Sequence, residues 1–591
     1  MCGICGYIGK RKNASELVIQ GLKELEYRGY DSWGVAVKTK EGIQTYKQIG
    51  RIGDADFNAF PDLGDCTVAV GHSRWATHGG VTKENAHPHS GDSNLVAVVH
   101  NGIIENFAEL KSKLIKEGHV FKSETDTEVI PQQIENYIGK GESFENAVRK
   151  TIDELEGRYA IVVLSKEENK IIAARRGSPL IIGVGKDETF VASDVPAFFE
   201  YTRDVNYLDD NQMVVINDEI KYYDLETNKE VKKRLVHINW EKSQATKGDF
   251  DHFMIKEIME QKETILRTIN QDEKEICEIV KAMKDAFGTY FVGCGTAGKV
   301  CLAGSYIFSH VAQKHVNVAF GSEFKSYTPF LTNKSLLIAV SQSGETADTL
   351  EAITAAKSKG VKILSIINVE GSTIARESDF SLNIKAGPEI AVASTKATTS
   401  QLAVLILLAY ALKGKIEEGK RLLIDTAGKI NDMLNPRYEQ HILEIAKNII
   451  NKESMYVIGK DLNYPIALEA AIKLQEVSYI HAEGFAGGEL KHGPIALISK
   501  GTPCITLVSN DFTKREILSN AMEVKARGGM IIGISPTKED VFDEWIKVPD
   551  AGIASCIVNI IPVQILAYHL AVLRKNDPDK PRNLAKSVTV K

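Results

Sequence analysis

Cys2, in the segment MCGICGYIG, is the first residue whose position in the chain indicates chemistry. Removal of Met1 would expose an α-amino group that titrates near neutrality and can act as the base for the thiol of the same residue. No neighbouring histidine is then needed to activate the nucleophile. A metal or redox pair of Cys2 with Cys5 is the alternative, but the chain has no second CxxC segment for zinc and no thioredoxin-type context.

A second polar group is spread over the segments GHSRWATHGGVTKENAHPHS, VVHNGIIENFAEL and SETDTEVI. A bound glutamine needs a cation for its α-carboxylate, an anion for its α-amino group and hydrogen-bond donors for the oxyanion formed when its amide is attacked. Arg74, Asp126, and Asn101 with the N–H of Gly102 can fill these roles. A metal site is the alternative, but the histidine spacing fits neither HExxH nor a zinc finger; the histidines are His72, His78, His87, His89 and His100.

A third group lies in SQSGET, where a predicted strand at 336–340 meets a helix that begins near Thr346. Three hydroxyls, a glycine that lets the backbone approach, and free N–H groups at a helix N-terminus together make a cradle for an anion. The alternative is that Ser343 merely caps the helix, although a cap needs one hydroxyl and not three. We therefore predict a phosphate site here.

Residues in the last part of the chain are candidates for proton transfer and for amine chemistry. In YPIALEAAIKLQEVSYIH, Glu469, Lys473 and Glu476 share one face of an apolar helix, where they could shuttle a proton beside a carbonyl or form a plain ion pair. His492, in the loop AGGELKHGP, is a candidate proton carrier. Lys586, in the tail DKPRNLAKSVTV, is either an exposed lysine or an amine whose pKa is lowered by burial for Schiff-base formation.

The elements that must position these residues fall into two regions. Up to about residue 237, short strand patterns alternate with helical periodicity at 14–26 and 128–137, which predicts a layered α+β domain. A charged linker at 240–249 is followed by alternating strands and helices, typical of parallel sheets covered by helices. This second region repeats, with offsets of 166 residues from Gly293 to Gly459 and 168 from Ser341 to Ser509.

Composition narrows the class of protein. The 591 residues, 43% hydrophobic and 25% charged with a net charge of -6, predict an ordinary globular protein of several domains without a basic surface for nucleic acid. The longest apolar stretches, 403–412 and 556–573, are too short or too interrupted by polar residues to predict a membrane span. Eight cysteines without an export signal predict a reducing, cytoplasmic location.

The first region closely resembles the class II glutamine amidotransferases, which are N-terminal-nucleophile hydrolases of αββα fold. The resemblance is carried by Cys2, by LEYRGYDS, and by the segments GHSRWATHGGVTKENAHPHS, VVHNGIIENFAEL and SETDTEVI. The resemblance covers residues 2–239. It implies that Cys2 forms a thioester with glutamine, that Asn101 and Gly102 stabilise the oxyanion, and that Trp75 gates a passage for ammonia. The residues implied to hold glutamine are Arg74, Thr77, His78 and Asp126.

The repeated region resembles sugar isomerase domains, which have flavodoxin-like parallel sheets and bind phosphosugars. The first subdomain is placed at 250–425 and the second, with the tail, at 426–591. The resemblance implies that His492 helps to open the sugar ring, Lys586 forms an imine with C2 and Glu476 moves a proton between C1 and C2. Ala297 departs from the family, which often has a hydroxyl there. The residues implied to hold the phosphosugar are Thr296, Ser341, Gln342, Ser343, Thr346, Val392 and Ser394.

The two resemblances together imply transfer of the glutamine amide nitrogen to fructose 6-phosphate with isomerisation to glucosamine 6-phosphate, the first step of hexosamine synthesis. No metal or other cofactor is expected. A homodimer is expected, in which His492 reaches the neighbouring subunit's site. Another class II amidotransferase should show an acidic phosphoribosyl motif, which this sequence lacks. A phosphosugar-sensing regulator is the other alternative, and it would use SQSGET for binding alone. The presence of Cys2 together with the predicted glutamine-site residues argues against this alternative.

Overall fold

The computed structural model describes residues 2–53, 55, 65–76, 78–238 and 247–589. They divide into two compact units, residues 2–238 with 585–589, and residues 247–584. The tail from residue 585 groups with the first unit, whereas the sequence analysis places it with the second sugar-isomerase subdomain at 426–591. Most of the predicted linker at 240–249 lies outside the described residues.

The first unit contains fifteen strands and four α-helices in chain order. They are β1 Gly3–Gly9, α1 Ala14–Glu24, β2 Ser32–Thr39, β3 Gly42–Ile49, β4 Val68–Arg74, β5 His89–Ser90, β6 Val96–Ile104, α2 Phe107–Lys116, α3 Val129–Gly139, α4 Phe144–Glu154, β7 Gly157–Ser165, β8 Ile171–Arg176, β9 Ile181–Val184, β10 Glu188–Ala192, β11 Asp204–Tyr207, β12 Gln212–Ile216, β13 Ile220–Asp224, β14 Glu230–Val231 and β15 Val236–His237.

Two antiparallel sheets and helices on both outer faces build this unit. The eight-stranded sheet has the order β15-β11-β9-β10-β1-β4-β2-β3, and the seven-stranded sheet has the order β14-β13-β12-β8-β7-β6-β5. Inward side chains of both sheets, such as Val70 and Val99, share one core. Helix α1 contacts β1 and β4 of the first sheet, while α2, α3 and α4 cover the second. This confirms the predicted αββα layering.

The alternation of side chains along β4 and β6 places two polar residues between the sheets. Successive side chains of a strand point to opposite faces. Val68 and Val70 of β4 belong to the core between the sheets, so His72 points the same way. Val99 of β6 also belongs to that core, and Asn101, two residues later, follows it.

The second unit contains ten strands and twelve α-helices. They are α5 Phe253–Met259, α6 Gln261–Ile269, α7 Glu273–Asp285, β16 Thr289–Gly293, α8 Thr296–Ile307, β17 Asn317–Phe320, β18 Leu336–Ser341, α9 Ala347–Lys357, β19 Lys362–Ile367, α10 Thr373–Arg376, β20 Phe380–Asn383, α11 Lys396–Leu412, α12 Ile416–Met433, α13 Pro436–Ile449, β21 Ser454–Gly459, α14 Asn463–Ser478, β22 His481–Ala486, β23 Pro503–Leu507, α15 Lys514–Lys525, β24 Met530–Ser535, β25 Glu544–Lys547 and α16 Ser555–Leu573.

Two parallel five-stranded sheets of the same topology form the second unit. Their orders are β17-β16-β18-β19-β20 and β22-β21-β23-β24-β25, which is the flavodoxin-like order 2-1-3-4-5 in each copy. The predicted duplication is confirmed. In such a sheet ligands bind where the strand order reverses, beyond the carboxyl ends of the first and third strands. In the first copy these ends lead into Thr296 and into SQSGET.

A single continuous core joins the two halves of the second unit, and helices α11, α14 and α16 run through it. Among the described residues, one helical stretch, Gly552–Leu573, is long and apolar enough to cross a membrane, but 89% of its apolar 18-residue segment is buried within the protein. A helix that is apolar all round is expected in the core of a large domain.

Candidate active sites

Cys2 directly precedes β1, and its thiol lies against the end of β4. The backbone N–H of Trp75 donates to the Cys2 Sγ at 3.2 Å. Burial raises the pKa of the Cys2 thiol, although the Trp75 N–H and the Arg74 guanidinium act to lower it. A thiol in this environment needs a base before it can attack, which is the role that the sequence analysis gives to the α-amino group of Cys2.

The structure brings Asn101 to Cys2. The Asn101 Nδ2 donates to the Cys2 carbonyl at 2.9 Å, and its Oδ1 lies 3.0 Å from the His72 Nε2. Gly102 follows with a φ of 123°, and a Cβ there would lie 2.0 Å from the carbonyl oxygen of Arg158 on the neighbouring strand. Only glycine fits at this position, next to the proposed oxyanion donor.

Of the predicted glutamine-binding residues, Arg74 ends β4 and Asp126 contacts the last residue of β6. The buried guanidinium of Arg74 donates to the carbonyl of Gly80 at 3.0 Å and to those of His78 and Gly79. Asp126, also buried, accepts from the N–H of Ile104 at 2.8 Å. The Arg74 and Asp126 charges interact with each other, so the two groups predicted to hold the ends of an amino acid lie near each other. Thr77 lies outside the described residues.

Four histidines of this unit are buried: His72, His87, His89 and His100. Burial lowers the pKa of each, that of His72 to about 3. The His87 Nε2 and the His100 Nδ1 both lie within 3.2 Å of the Thr127 hydroxyl. Across the described part of the chain, no group of three or more His, Cys, Asp or Glu side chains is placed to hold a metal ion. These histidines act as neutral hydrogen-bonding groups in the core.

The SQSGET segment folds into a tight loop between β18 and α9. The Ser341 Oγ accepts from the Gly344 N–H at 3.0 Å and lies 3.1 Å from the Thr346 hydroxyl. The Ser343 Oγ accepts from the Glu345 N–H at 3.2 Å, which is outside the helix. Since Thr346 is the N-cap and makes no side-chain cap hydrogen bond, the structure does not support Ser343 as a helix cap. The N-terminus of α9 therefore faces the loop, and the Thr346 side chain does not cap it.

Beside this loop, α8 and α14 bring a threonine and three charged residues together. The Lys473 Nζ lies 2.5 Å from the Glu476 Oε2 and 3.4 Å from the Glu469 Oε1. The Thr296 hydroxyl donates to the Glu469 Oε1 at 3.0 Å and accepts from the Lys473 Nζ at 3.3 Å. Glu469 and Lys473 are fully buried, so this is no ordinary surface ion pair.

The charged residues of α14 shift each other's pKa. Burial raises the pKa of Glu469 to about 7, against the opposing effect of Lys473. For Lys473, burial acts to lower the pKa, but Glu476 and Glu469 outweigh it and raise the pKa above its ordinary value. Glu469 is thus poised to gain or lose a proton near neutral pH, while Lys473 stays charged.

The remaining predicted sugar-site residues have varied surroundings. The Gln342 carbonyl accepts from the Asn368 N–H at 3.2 Å and the Val392 N–H donates to the Asp579 carbonyl at 3.0 Å. The Ser394 hydroxyl donates to Glu389 at 3.2 Å. His492 is exposed at the end of the 3₁₀ turn Gly487–His492, and Lys586 belongs to the tail that groups with the first unit. Their roles at the sugar stay predictions.

The sequence analysis missed Lys299, which lies one helical turn after Thr296 on α8. Its ammonium lies 5.1 Å from the centroid of the Phe320 ring. Burial lowers the pKa of Lys299, and Glu469 and Glu476 oppose this effect, so the lysine belongs to the same electrostatic group. The i+3 spacing from Thr296 was the available signal.

Two known domain families match this chain. A model of the glutamine amidotransferase domain matches residues 72–200, and a model of the SIS domain matches residues 284–411 and 448–574. The class is therefore a glutamine amidotransferase joined to two SIS domains.

Full-length relatives define the family. Proteins named glutamine–fructose-6-phosphate aminotransferase (isomerizing) from Thermococcus kodakarensis and Pyrococcus horikoshii are 43% and 44% identical to this chain, each over 100% of both sequences. The solved C-terminal domain of glucosamine-fructose-6-phosphate aminotransferase from Francisella tularensis is 34% identical, with a TM-score of 0.52, over 56% of this chain and 99% of that one. The chain belongs to the glutamine–fructose-6-phosphate aminotransferase (isomerizing) family.

Proposed function

We propose that this protein converts fructose 6-phosphate and glutamine into glucosamine 6-phosphate and glutamate. The observation that carries the proposal is the presence of both halves in one chain that aligns with its relatives over its full length. The first half has Cys2 beside Asn101, and the second has a hydroxyl-lined loop at a helix N-terminus.

In the first half-reaction, the Cys2 thiolate attacks the side-chain carbonyl carbon of glutamine. The oxyanion accepts hydrogen bonds from the Asn101 amide and the Gly102 N–H. Collapse of this intermediate expels ammonia and leaves a thioester, which water hydrolyses to glutamate and free Cys2. Trp75, whose backbone contacts the Cys2 sulfur, keeps its predicted role as the gate for this ammonia. Four residues hold the amino acid: Arg74, Thr77, His78 and Asp126.

In the second half-reaction, the sugar phosphate lies in the SQSGET loop, where hydroxyls and the N-terminus of α9 stabilise its charge. His492 helps to open the ring, and Lys586 forms an imine at C2 with loss of water. Because the product carries its amino group at C2, ammonia must then displace Lys586 from that carbon. Glu476, held by Lys473 at 2.5 Å, moves a proton from C1 to C2.

Thr296, Val392 and Ser394 complete the proposed sugar pocket. Thr296 ties the buried charges of α14 to the start of α8 through hydrogen bonds to Glu469 and Lys473. Such a contact would hold the acid–base residues at a fixed distance from the sugar loop.

We propose a homodimer in the cytoplasm as the working form. All eight cysteines are free, as expected in a reducing compartment. His492 is exposed, so it can serve the neighbouring subunit's site. Light scattering of the purified protein tests the dimer directly, because a monomer at working concentration would contradict it.

The function is tested by supplying fructose 6-phosphate with glutamine labelled with ¹⁵N in its amide group. We expect ¹⁵N-glucosamine 6-phosphate by mass spectrometry. Glutamate without amino sugar would favour another amidotransferase, and sugar-phosphate binding without turnover would favour a regulator. Either result would contradict the proposal.

A further inference from the structure

His72 is a fully buried residue that the first half-reaction, as described, does not use. It lies on β4 and faces the core between the two sheets, two residues after Val70. Its Nε2 lies 2.9 Å from the carbonyl oxygen of His100 and 3.0 Å from the Asn101 Oδ1. It therefore contacts the residue that is proposed to stabilise the oxyanion.

The acceptors around His72 settle which ring nitrogen carries the proton. A backbone carbonyl can only accept a hydrogen bond, so the His72 Nε2 must be protonated and must donate to His100. The same N–H then faces the oxygen of the Asn101 amide. Since burial lowers the pKa of His72 to about 3, the ring is neutral at ordinary pH and its Nδ1 carries no proton.

This arrangement fixes the amide of Asn101. With its oxygen held by His72, its Nδ2 is turned toward Cys2, where one N–H donates to the Cys2 carbonyl at 2.9 Å. The second N–H of the same nitrogen has no partner within the part of the chain that the structure describes. It is the donor available to an oxyanion on the amide carbon that Cys2 attacks.

We propose that His72 is a positioning residue of the glutamine-hydrolysing site, whose Nε2–H holds the Asn101 side chain with its free N–H aimed at the oxyanion. The inference rests on the proposed function and deepens it. If the Asn101 amide could rotate, its oxygen would face the oxyanion for part of the time and repel it. The effect of His72 is therefore on the transition state and not on the binding of glutamine.

His87 provides a control for packing. Its ring packs against the His72 ring at a centroid distance of 4.1 Å and an interplanar angle of 35°, but its Nε2 lies 3.2 Å from the Thr127 hydroxyl instead of contacting Asn101. Loss of the His87 ring disturbs the same buried cluster while leaving the hydrogen bond between His72 and Asn101 in place.

The test compares His72→Leu, His72→Gln and His87→Leu in the full-length protein. Glutamine hydrolysis is measured as kcat and KM, the alkylation rate of Cys2 by iodoacetamide is measured in parallel, and calorimetry checks folding. We expect His72→Leu to lower kcat by about 10- to 100-fold, less than the full loss of an oxyanion donor, with KM changed less than about twofold. His72→Gln, which keeps an N–H donor at a similar reach, should recover most of the loss, and His87→Leu should stay near the parent.

Three results would overturn the inference. They are a parental kcat in His72→Leu, a kcat loss matched by equally slow alkylation of Cys2, and an equal loss in His87→Leu. The last two would show that the packing around Cys2 had changed. Absence of glutamine hydrolysis in the parent protein would instead contradict the proposed function, so the two failures are distinguishable.

Discussion

At the residue scale, the charged residues of α14 form a close group in which one lysine lies between two carboxylates. Lys473 and Glu469 are fully buried, and Lys473 also contacts Glu476, whose side chain is about a quarter exposed. A buried ion pair costs desolvation energy for each charge, and removal of one partner leaves the other uncompensated. Thr296 adds a hydrogen bond to the group, which makes the arrangement more specific than a helical pair on the surface.

Glu469→Gln tests the titration of this group. The pKa of Glu469 is raised to about 7, so between its ordinary range and about pH 7 the folded protein holds a proton that the unfolded chain releases. The contribution of this protonated carboxyl group to the stability of the folded state is therefore present at low pH and is lost as the pH rises through about 7. Gln resembles the protonated form, so the thermal midpoint of the variant should gain on that of the parent between pH 5 and 7.5. A difference that is constant over this range would contradict the assignment.

Lys473→Met tests the burial of the pair. Two carboxylates would be left without their cation, and breaking such a pair costs about 3–5 kcal/mol of folding free energy. Lys447→Met is the matched control, because Lys447 and Glu444 form an exposed pair on α13, worth at most about 1 kcal/mol. Equal losses in denaturant-induced unfolding of the two variants would show that Lys473 is not held as described.

At the element scale, the two duplicated sheets differ at the place where the first copy carries the SQSGET loop. Gly295 and Asp461 follow the first strand of each copy and have nearly the same φ, 55° and 54°. In the second copy the carboxylate of Asp461 lies 2.7 Å from His310, and the Ser509 hydroxyl accepts from the Asn463 amide at 2.7 Å. A negative charge and an occupied hydroxyl do not favour phosphate, so we expect no equivalent of the predicted SQSGET site among these residues of the second copy.

Gly344→Ala tests the loop. Gly344 has a φ of 65°, and a Cβ there would lie 2.0 Å from the Ser372 Oγ, so the loop must distort. We expect KM for fructose 6-phosphate to rise at least about tenfold, which corresponds to about 1.4 kcal/mol, with glutamine hydrolysis unchanged. Gly428→Ala, on α12 with no atom near the added carbon, is the control. An unchanged KM would exclude this loop from the sugar site.

The sequence predicts local features of the molecule well, because they depend on spacing along one element. The shared face of Glu469, Lys473 and Glu476 follows from helical periodicity, and the predicted strand at 336–340 is the observed Leu336–Ser341. The contact of His72 with Asn101 joins strands of two different sheets, so no local pattern could reveal it. For Lys299 a local signal existed, its i+3 spacing from Thr296 on α8, but its contact with Phe320 on another element could not be seen from the sequence.

At the scale of the whole molecule, the tail groups apart from the residues that precede it in the sequence. Residues 585–589 group with the first unit, although they follow directly on residues that belong to the second. Before that point the chain is anchored, since Asp579 is buried and accepts from the N–H groups of Phe253 and Met254. Lys586 therefore lies just past a fixed segment of the chain.

Reduction with borohydride in the presence of fructose 6-phosphate tests the role of Lys586. An imine at C2 would be reduced to a stable secondary amine, so we expect a peptide containing Lys586 to carry the sugar phosphate in mass spectrometry. Lys586→Arg keeps the charge but should give no adduct. Labelling of another lysine with Lys586 unmodified would remove it from the mechanism.

The link between the two halves is tested most directly by Cys2→Ala, assayed for glucosamine 6-phosphate with glutamine or with ammonia as the nitrogen source. Cys277→Ala, which removes an exposed thiol, is the control and should behave as the parent. We expect Cys2→Ala to lose glutamine-dependent synthesis and to keep synthesis from ammonia, because only the first half-reaction needs the thiol. Synthesis from glutamine at the parental rate in Cys2→Ala would contradict the assignment of Cys2 as the nucleophile.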